Sequence, residues 1–441
     1  MDERAPGSRA ADRRRVSAPR AVARDAVVRI EDGAYAHILV PQMLRTTSLA
    51  PRDRALVTDL VYGTVREQRR LDDLLAPVGR RALDTLDPPV RAALRLGAYQ
   101  LVHGTPAHAA VGETVAVAPV RARGYVNAVL RALASSGPPW SRSASAAVEL
   151  SYPDWIVERL TADLGADEAL AALAASNTAP TVALRPRVGR TSASALLDEL
   201  IATGAEAGPG SLMSEAVTVR RAGDLASLPA VAEGRATPQD EASQSVVAFL
   251  APEPGERILD VAAAPGGKAT AIAERVGQHG QVVAADLQPR RLSLVATAAR
   301  RLGLDAVDLI AADGRALPVR AGAFDRALVD APCSGLGVLR RRPDARWRIS
   351  EDDVEVLAQL QVELVLAAAA AVRPGGLLVF SVCTLTTAET LGVAEQVGAA
   401  LPGFTAVPRP GLPWRPHGAG ALLLPHDAGT DGMFLLGLRR E

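Results

Sequence analysis

The chain holds two cysteines, Cys333 and Cys383, and one lysine, Lys268, against 48 arginines. Each cysteine follows an apolar run, in Asp330-Ala331-Pro332-Cys333-Ser334-Gly335 and in Phe380-Ser381-Val382-Cys383-Thr384. A free cysteine is often only a small buried hydrophobe. A thiolate is also a strong soft nucleophile once helix N-termini or arginines lower its pKa. Two thiols at the ends of two strands on one rim are poorly explained by chance, although spacing alone does not say which would attack.

Lys268 ends a third segment, Asp260-Val261-Ala262-Ala263-Ala264-Pro265-Gly266-Gly267-Lys268. Its glycines let the backbone approach a ligand, and the helix that follows offers free N–H groups. Ala262 and Ala269 stand where a Walker A loop needs Gly and Ser or Thr, and G-x-G-x-x-G is not spelled either. Phosphate cradling is thus disfavoured; an adenosine-containing cofactor and plain turn chemistry both remain open. Asp286, 19 residues beyond Gly267, falls where a carboxylate takes two ribose hydroxyls in doubly wound folds. Asp313 would share that rim, and Asp260 could be an internal cap. Between the cysteines, Arg340-Arg341-Arg342-Pro343-Asp344-Ala345-Arg346-Trp347-Arg348 sets five arginines against one acid. This is either a solvated charged loop or, through Arg341, Arg342, Arg346 and Trp347, a phosphate clamp with a stacking surface for single-stranded RNA. With two cysteines, six histidines and no Cys-x-x-Cys, no metal site is expected.

These groups need strands to carry them. From Arg257 the pattern alternates: strands at Ile258–Ala262, Val282–Ala285, Val307–Ala311, Ala327–Val329 and Leu377–Ser381, with helices after Gly267, at Arg290–Leu302 and at Val354–Val372. The pattern predicts an α/β fold with a doubly wound parallel sheet, ligands lying beyond the carboxyl ends of its strands. Upstream, Val57, Leu60, Val61 and Val65, then Val90, Leu94, Ala98 and Leu101, repeat at helical spacing. With punctuation at Pro51, Pro88-Pro89 and Pro106, this predicts an all-α bundle over 21–140, closed by Gly137-Pro138-Pro139. Residues 141–235 read as linker helices and a small α+β insert, with strands at Thr181–Pro186 and Ala216–Arg220 around a helix at Ser192–Gly204. Residues 1–20, with six arginines among Gly, Pro and Ser, read as a basic flexible tail.

Composition bounds the rest. A chain of 441 residues suggests more than one domain. With 49 basic and 49 acidic residues the formal charge is zero, so a polyanion would be met by local clusters. Aromatics are 3%, too few for a long stacking platform, so arginine must carry the contact. The longest apolar run, Leu364–Val372, is nine residues, short of a bilayer span, and the Arg-rich start lacks a secretory core; a cytoplasmic protein is expected.

At these residues the chain resembles the Nop/Sun-type RNA cytosine-5 methyltransferases. The likeness covers Pro238-Gln239-Asp240-Glu241-Ala242-Ser243, the A-A-P-G-G-K turn, D-A-P-C-S-G, R-R-P-D-x-R-W, the second cysteine motif and Asp431-Gly432-Met433-Phe434. Arg123-Gly124-Tyr125-Val126-Asn127-Ala128-Val129-Leu130-Arg131 makes the N-terminal bundle similar to the NusB-like RNA-binding domain of the bacterial 16S ribosomal RNA methyltransferase B branch. The resemblance implies a Rossmann-like class I S-adenosylmethionine-dependent methyltransferase domain over 236–441, and an insert that also binds RNA. It implies cofactor contacts from Ala262, Ala263, Ala264, Pro265, Gly266, Gly267 and Lys268, with Asp286 on the ribose, Asp313 near the adenine and Asp330 between cofactor and base. It implies Cys383 as nucleophile, Cys333 as the thiol that assists release, and 16S ribosomal RNA, free or partly assembled, as partner of a monomer that needs neither membrane nor metal. A transfer RNA methyltransferase and a non-catalytic assembly scaffold are the competing readings. Val382 stands where the family commonly has Thr, Ala262 where it commonly has Cys, and of its Glu-Asn-Glu run only Glu389 is kept, before Thr390 and Leu391.

Overall fold

The computed structural model describes residues 6–138, 140, 145–220 and 225–441, with side chains for all of these except 6–17 and 226. The chain forms two compact units: Met1–Glu158 with Arg341–Arg348, and Arg159–Arg340 with Ile349–Glu441.

The first unit is helical, with helices at Pro6–Glu31, Ala36–Arg45, Pro51–Arg66, Gln68–Leu75, Pro88–Val102, Ala107–Val117 and Arg123–Ser136. Pro51 and Pro88 sit in the first turns, where a missing N–H is harmless and the fixed φ suits a helix. The apolar stripes expected from spacing are the buried ones, Val57, Leu60, Val61 and Val65 on one helix and Val90, Leu94, Ala98 and Leu101 on another. A fully buried leucine such as Leu94 contributes about 1.5–3 kcal/mol. The tail expected over 1–20 enters a helix at Pro6, because alanine and arginine, which dominate it, are strong helix formers; residues 1–5, and Pro139 of the expected closing turn, lie outside the described residues.

Arg341–Arg348 belongs to this unit rather than to the one that flanks it in sequence. The Arg346 side chain is fully buried, its guanidinium 3.8 Å over the Tyr152 ring, and it donates to the carbonyls of Ser151 at 3.0 Å and Arg66 at 3.3 Å. Burial lowers its pKa to about 10. Trp347 packs on the bundle core and donates its Nε1–H to the Val65 carbonyl at 2.8 Å. Asp344 bonds Arg348 at 3.0 Å, and the Arg348 guanidinium lies 4.2 Å over Tyr35. The expected clamp is therefore corrected at Arg346 and Trp347, which build the fold; Arg342 is exposed and Arg341 partly so. The error came from treating every arginine as a surface charge, whereas a planar guanidinium over an aromatic ring can be buried.

In the second unit, β1 (Val182–Pro186), β2 (Glu206–Pro209), β3 (Val217–Arg220) and β4 (Ala236–Pro238) form an antiparallel sheet in the order β2-β3-β1-β4, beside a helix at Ala193–Ala202. The second and fourth of these strands give no signal in sequence, being short and carrying Gly208, Pro209 and Pro238. A larger sheet contains β5 (Arg257–Val261), β6 (Gln281–Asp286), β7 (Val307–Ala311), β8 (Phe324–Asp330), β9 (Val372–Val382), β10 (Phe404–Ala406), β11 (Arg415–His417), β12 (Gly420–Leu423) and β13 (Met433–Arg440). Its order is β11-β12-β13-β9-β8-β5-β6-β7, with β10 on β13. Strands β5 to β9 pair in parallel as expected, but β13 runs antiparallel to β9, so the sheet is mixed and not wholly parallel. The order reverses between β5 and β8, the place where doubly wound sheets open a ligand crevice.

The helix Glu351–Ala371 is, among the described residues, the one long and apolar enough to cross a bilayer, and half of its apolar window is buried within the fold. A capping box starts it, Ser350 Oγ lying 2.6 Å from Asp353 Oδ2, worth about 1 kcal/mol.

Arg346→Ala would strand two buried carbonyls and the Tyr152 face, and is expected to destabilise the protein by about 2–4 kcal/mol. Thermal melting of the full chain checks this; a melting temperature equal to wild type would contradict it, and Arg346→Lys should rescue poorly because it cannot reproduce the planar contact.

Candidate active site

β5 and β8 flank the crevice and carry its first groups. After Val261 the chain turns through Ala262, whose φ of 60° is left-handed and uncommon outside glycine. Gly266 follows with φ 106°, and a Cβ there would meet Val295 Cα at 2.9 Å. The turn then enters the helix Gly267–Val276, so Lys268 projects from a first helical turn. Its Nζ lies 2.6 Å from Asp330 Oδ2 at the end of β8, while Ser381 Oγ donates to Asp330 Oδ1 at 2.8 Å. Burial works against the Lys268 charge, but Asp330, Cys383 and Asp260 outweigh it and raise the ammonium's pKa.

Asp260 is fully buried, and neither carboxylate oxygen has a hydrogen-bond partner among the described residues. Burial, then repulsion from Asp330, raises its pKa to about 8 in spite of Lys268. It is therefore not the internal cap that sequence allowed. Asp286 ends β6, its carboxylate accepting from Gln288 N at 2.9 Å and Ala264 N at 3.3 Å, with Arg291 Nε at 3.8 Å. Asp313 lies past β7 in an exposed pair with Arg315 at 2.7 Å, which lowers its pKa to about 2. An orphaned buried carboxylate beside an ordered acceptor at a strand end fits a ligand that brings both a cation and hydroxyls. Among the described residues no cluster of three or more His, Cys, Asp or Glu could hold a metal ion.

The two cysteines meet. Cys333 Sγ and Cys383 Sγ are 3.3 Å apart, each partly exposed. The Cys333 thiol is pushed well above its ordinary pKa by its hydrogen bond to Cys383, then by burial and by the charges of Cys383, Glu389 and Asp330, so it keeps its proton. Gly337 N donates to the Cys383 carbonyl at 3.0 Å, and Gly432 N to the Gly337 carbonyl at 2.8 Å. A Cβ on Gly337 would collide with the Gly432 carbonyl, which explains glycine at 337: three backbones cross at one point. Asp431 N in turn bonds Asp240 Oδ1 at 3.3 Å, and Asp240 caps the helix Glu241–Leu250.

Cys333, Cys383, Asp330 and Lys268 are thus brought together, with Asp286 across the turn, whereas Arg346 and Trp347 lie in the other unit. Sequence reasoning missed Ser381 and Gln361, which carry no motif signal, and left Asp260 undecided.

Comparison with known proteins fits these motifs. Residues 247–439 match the family described as 16S rRNA methyltransferase RsmB/F, residues 17–135 the NusB family, and residues 152–226 the ferredoxin-like domain of RsmF/B-like methyltransferases. The ribosomal RNA small subunit methyltransferase B of Thermus thermophilus is 37% identical over 437 residues, covering 97% of this chain and 98% of that one. A probable counterpart in Bacillus subtilis is 33% identical over 447 residues, 96% and 98%, and a putative methyltransferase of Mycobacterium tuberculosis is 39% identical over 438 residues, 92% and 93%. The crystal structure of PH0851 shares the fold with a TM-score of 0.82 at 24% identity, covering 96% of this chain and 99% of that one. NSun6 from Pyrococcus horikoshii, solved with SFG, does so with 0.59 at 22%, over 65% and 98%. By this likeness along nearly its whole length, the chain belongs to the RsmB/F family of 16S ribosomal RNA methyltransferases.

Proposed function

We propose that the protein transfers a methyl group from S-adenosylmethionine to C5 of a cytosine in 16S ribosomal RNA, through a covalent bond between Cys383 and C6. The observation that carries this reading is the thiol pair at 3.3 Å beside the Lys268–Asp330 ion pair, a grouping that a pure RNA scaffold does not need. The names of the curated relatives favour small-subunit ribosomal RNA over transfer RNA as substrate.

The residues present fit the cofactor. Asp286 would take the ribose hydroxyls, Asp313 would lie near the adenine, and the turn Ala262–Lys268 would lie along the ligand. The unpartnered Asp260 carboxyl, on releasing its proton to solvent, would receive the cofactor's ammonium. When bound, S-adenosylmethionine supplies an electrophilic methyl on a sulfonium. SFG, an analogue of it, is present in the solved NSun6.

Cytosine C5 is a weak nucleophile, and Cys383 corrects that. Its Sγ adds to C6, the C5–C6 π electrons become available at C5, and the difficult step is divided in two. Asp330, held by Lys268 and Ser381, would face N3 and the exocyclic amine; in its protonated form it would donate to N3 and so balance the negative charge that thiolate addition sends onto the ring. After C5 has taken the methyl, a solvent water acting as base removes the C5 proton, and the electrons of that C–H bond re-form the ring double bond and expel Cys383 as thiolate. Cys333, which keeps its proton, can then hydrogen-bond the departing sulfur. The base must leave any stack to reach the pocket, and Arg341 and Arg342 would contact the RNA phosphates.

Purified protein incubated with labelled S-adenosylmethionine and 16S or transfer RNA transcripts tests this. Cys383→Ala should lower methyl incorporation at least about a thousandfold, and Cys333→Ala should accumulate a denaturation-resistant protein–RNA adduct. Normal turnover by the Cys333 variant would end its release role; label on transfer RNA alone would replace the substrate.

Asp260 gives a second test. The folded protein holds this proton up to about 8, against 3.8 ordinarily, so it binds more protons than the unfolded chain across that interval and loses stability as pH rises through it. Asp260→Asn should therefore melt higher than wild type at pH 9, with little gain at pH 4. The same variant should bind S-adenosylmethionine at least about tenfold more weakly by calorimetry; unchanged affinity would remove Asp260 from the cofactor site.

A further inference from the structure

Glu389 enters the chemistry above only as one of the charges beside Cys333, yet it is completely buried. Its Oε1 accepts from Ser334 N at 2.8 Å and Gln361 Nε2 at 3.0 Å. Its Oε2 accepts from the hydroxyls of Ser334 at 2.5 Å, Thr384 at 2.9 Å and Thr386 at 2.9 Å. All five donors are neutral. Burying a carboxylate on neutral donors alone is expensive unless every lone pair is used, so the arrangement must hold something in place.

What it holds is defined by sequence position. Ser334 immediately follows Cys333, and Thr384 immediately follows Cys383. Gln361, on the helix Glu351–Ala371, also donates to the Pro332 carbonyl at 2.9 Å, just before Cys333. One carboxylate therefore grips the residue after each thiol, while a side chain bound to it grips the residue before one of them. Glu389 itself sits in a single π-helical turn, Ala388–Gly392, a local distortion that is rare in regular helices. Thr387 N, just before it, bonds Asp163 Oδ2 at 3.0 Å and anchors the turn.

We infer that Glu389 is a positioning residue: by tying the Cys333 loop to the Cys383 loop it sets the distance between the two thiols. The inference rests on the proposed function for its importance to catalysis, but the geometry can be tested without RNA.

The test uses the fact that the chain has two cysteines and no others. Diamide converts two adjacent thiols to a disulfide: both S–H bonds break, one S–S bond forms, and the azo group takes up the two hydrogens. The rate of closure, followed by loss of alkylatable thiol in the full-length protein at low concentration, reads thiol juxtaposition directly. Glu389→Ala should slow closure by about tenfold to a hundredfold, the size of effect expected from a displacement near 1 Å. Glu389→Gln should stay within about threefold of wild type, because its Oε1 keeps the two N–H donors and its amide can donate to hydroxyls that turn to accept. Should the alanine variant fail to fold, Thr384→Val combined with Thr386→Val removes two donors at nearly constant volume and should slow closure several-fold, again by displacement. Closure at the wild-type rate in the folded alanine or double-valine variant would overturn the inference, as would slow closure in wild type itself. With RNA, Glu389→Ala should lower kcat while leaving KM for S-adenosylmethionine near wild type, and Glu389→Gln should restore kcat. If closure follows this pattern but no variant, wild type included, methylates RNA, the positioning role stands and the proposed function falls.

Discussion

The arrangement of the site depends on the parallel register between β8 and β9, in which Asp330 lies opposite Ser381. β8 ends at this pair and β9 one residue beyond it, and the two segments reach Cys333 three residues and Cys383 two residues after the pair, so a shared register delivers two thiols to one place. A shift of one residue would send every alternate side chain to the other face, and Asp330 could no longer accept from Ser381 while meeting Lys268. The antiparallel strand β13 pairs with β9 along Leu377–Val382, so the strand that ends beside Cys383 is fixed on both edges. Past the sheet, where no ladder holds the loops, the Gly337–Cys383 and Gly432–Gly337 backbone bonds and the Glu389 cluster continue the same register by other means.

Electrostatics complete what the register begins. Three carboxylates, Asp260, Asp286 and Asp330, converge on a crevice in which Lys268 forms an ion pair with one of them. Asp286 is satisfied by backbone N–H groups and Asp260 by nothing among the described residues. A site with a buried acceptor to spare is unstable alone and favourable toward a cation, which is how binding energy can be concentrated on a charged cofactor without a large apolar pocket. Cys333 keeps its proton through its hydrogen bond to Cys383, through burial and through the negative groups around it.

The parts of this that could be read from sequence were those written in local periodicity or in short motifs. The strands β5 to β9 and the helices between them follow from apolar runs and glycine breaks, and the stripe Val57, Leu60, Val61, Val65 predicted its own burial. What could not be read was set by contacts distant in sequence. β10 to β12 are short, and with the longer β13 they pair antiparallel with no crossover helix between them, so they lack the alternation that marks a βα unit. Arg346 looked like a surface charge because nothing nearby in sequence announces Tyr152, 194 positions away. Ser381 and Gln361 are ordinary polar residues until the sheet register and a helix face bring them to Asp330 and to Glu389.

Lys268 shows why residue type matters at this point of the fold. The chain uses arginine for all its other basic side chains, and arginine is superior where a planar fork meets a carboxylate or a ring, as at Tyr152. At the first turn of the helix Gly267–Val276 the demand differs. The cation must be compact enough to reach Asp330 Oδ2 at 2.6 Å with only a tenth of its side chain exposed and, on the proposed function, to leave room for a base and a cofactor. An ammonium is a point charge with three rotatable donors, whereas a guanidinium is broad and fixes the direction of its five N–H bonds. On the proposed function, a guanidinium here would compete for the space between Asp330 and Cys383 that the cytosine ring would enter. The lone lysine is therefore accounted for by volume and directionality, since arginine would have supplied the same charge.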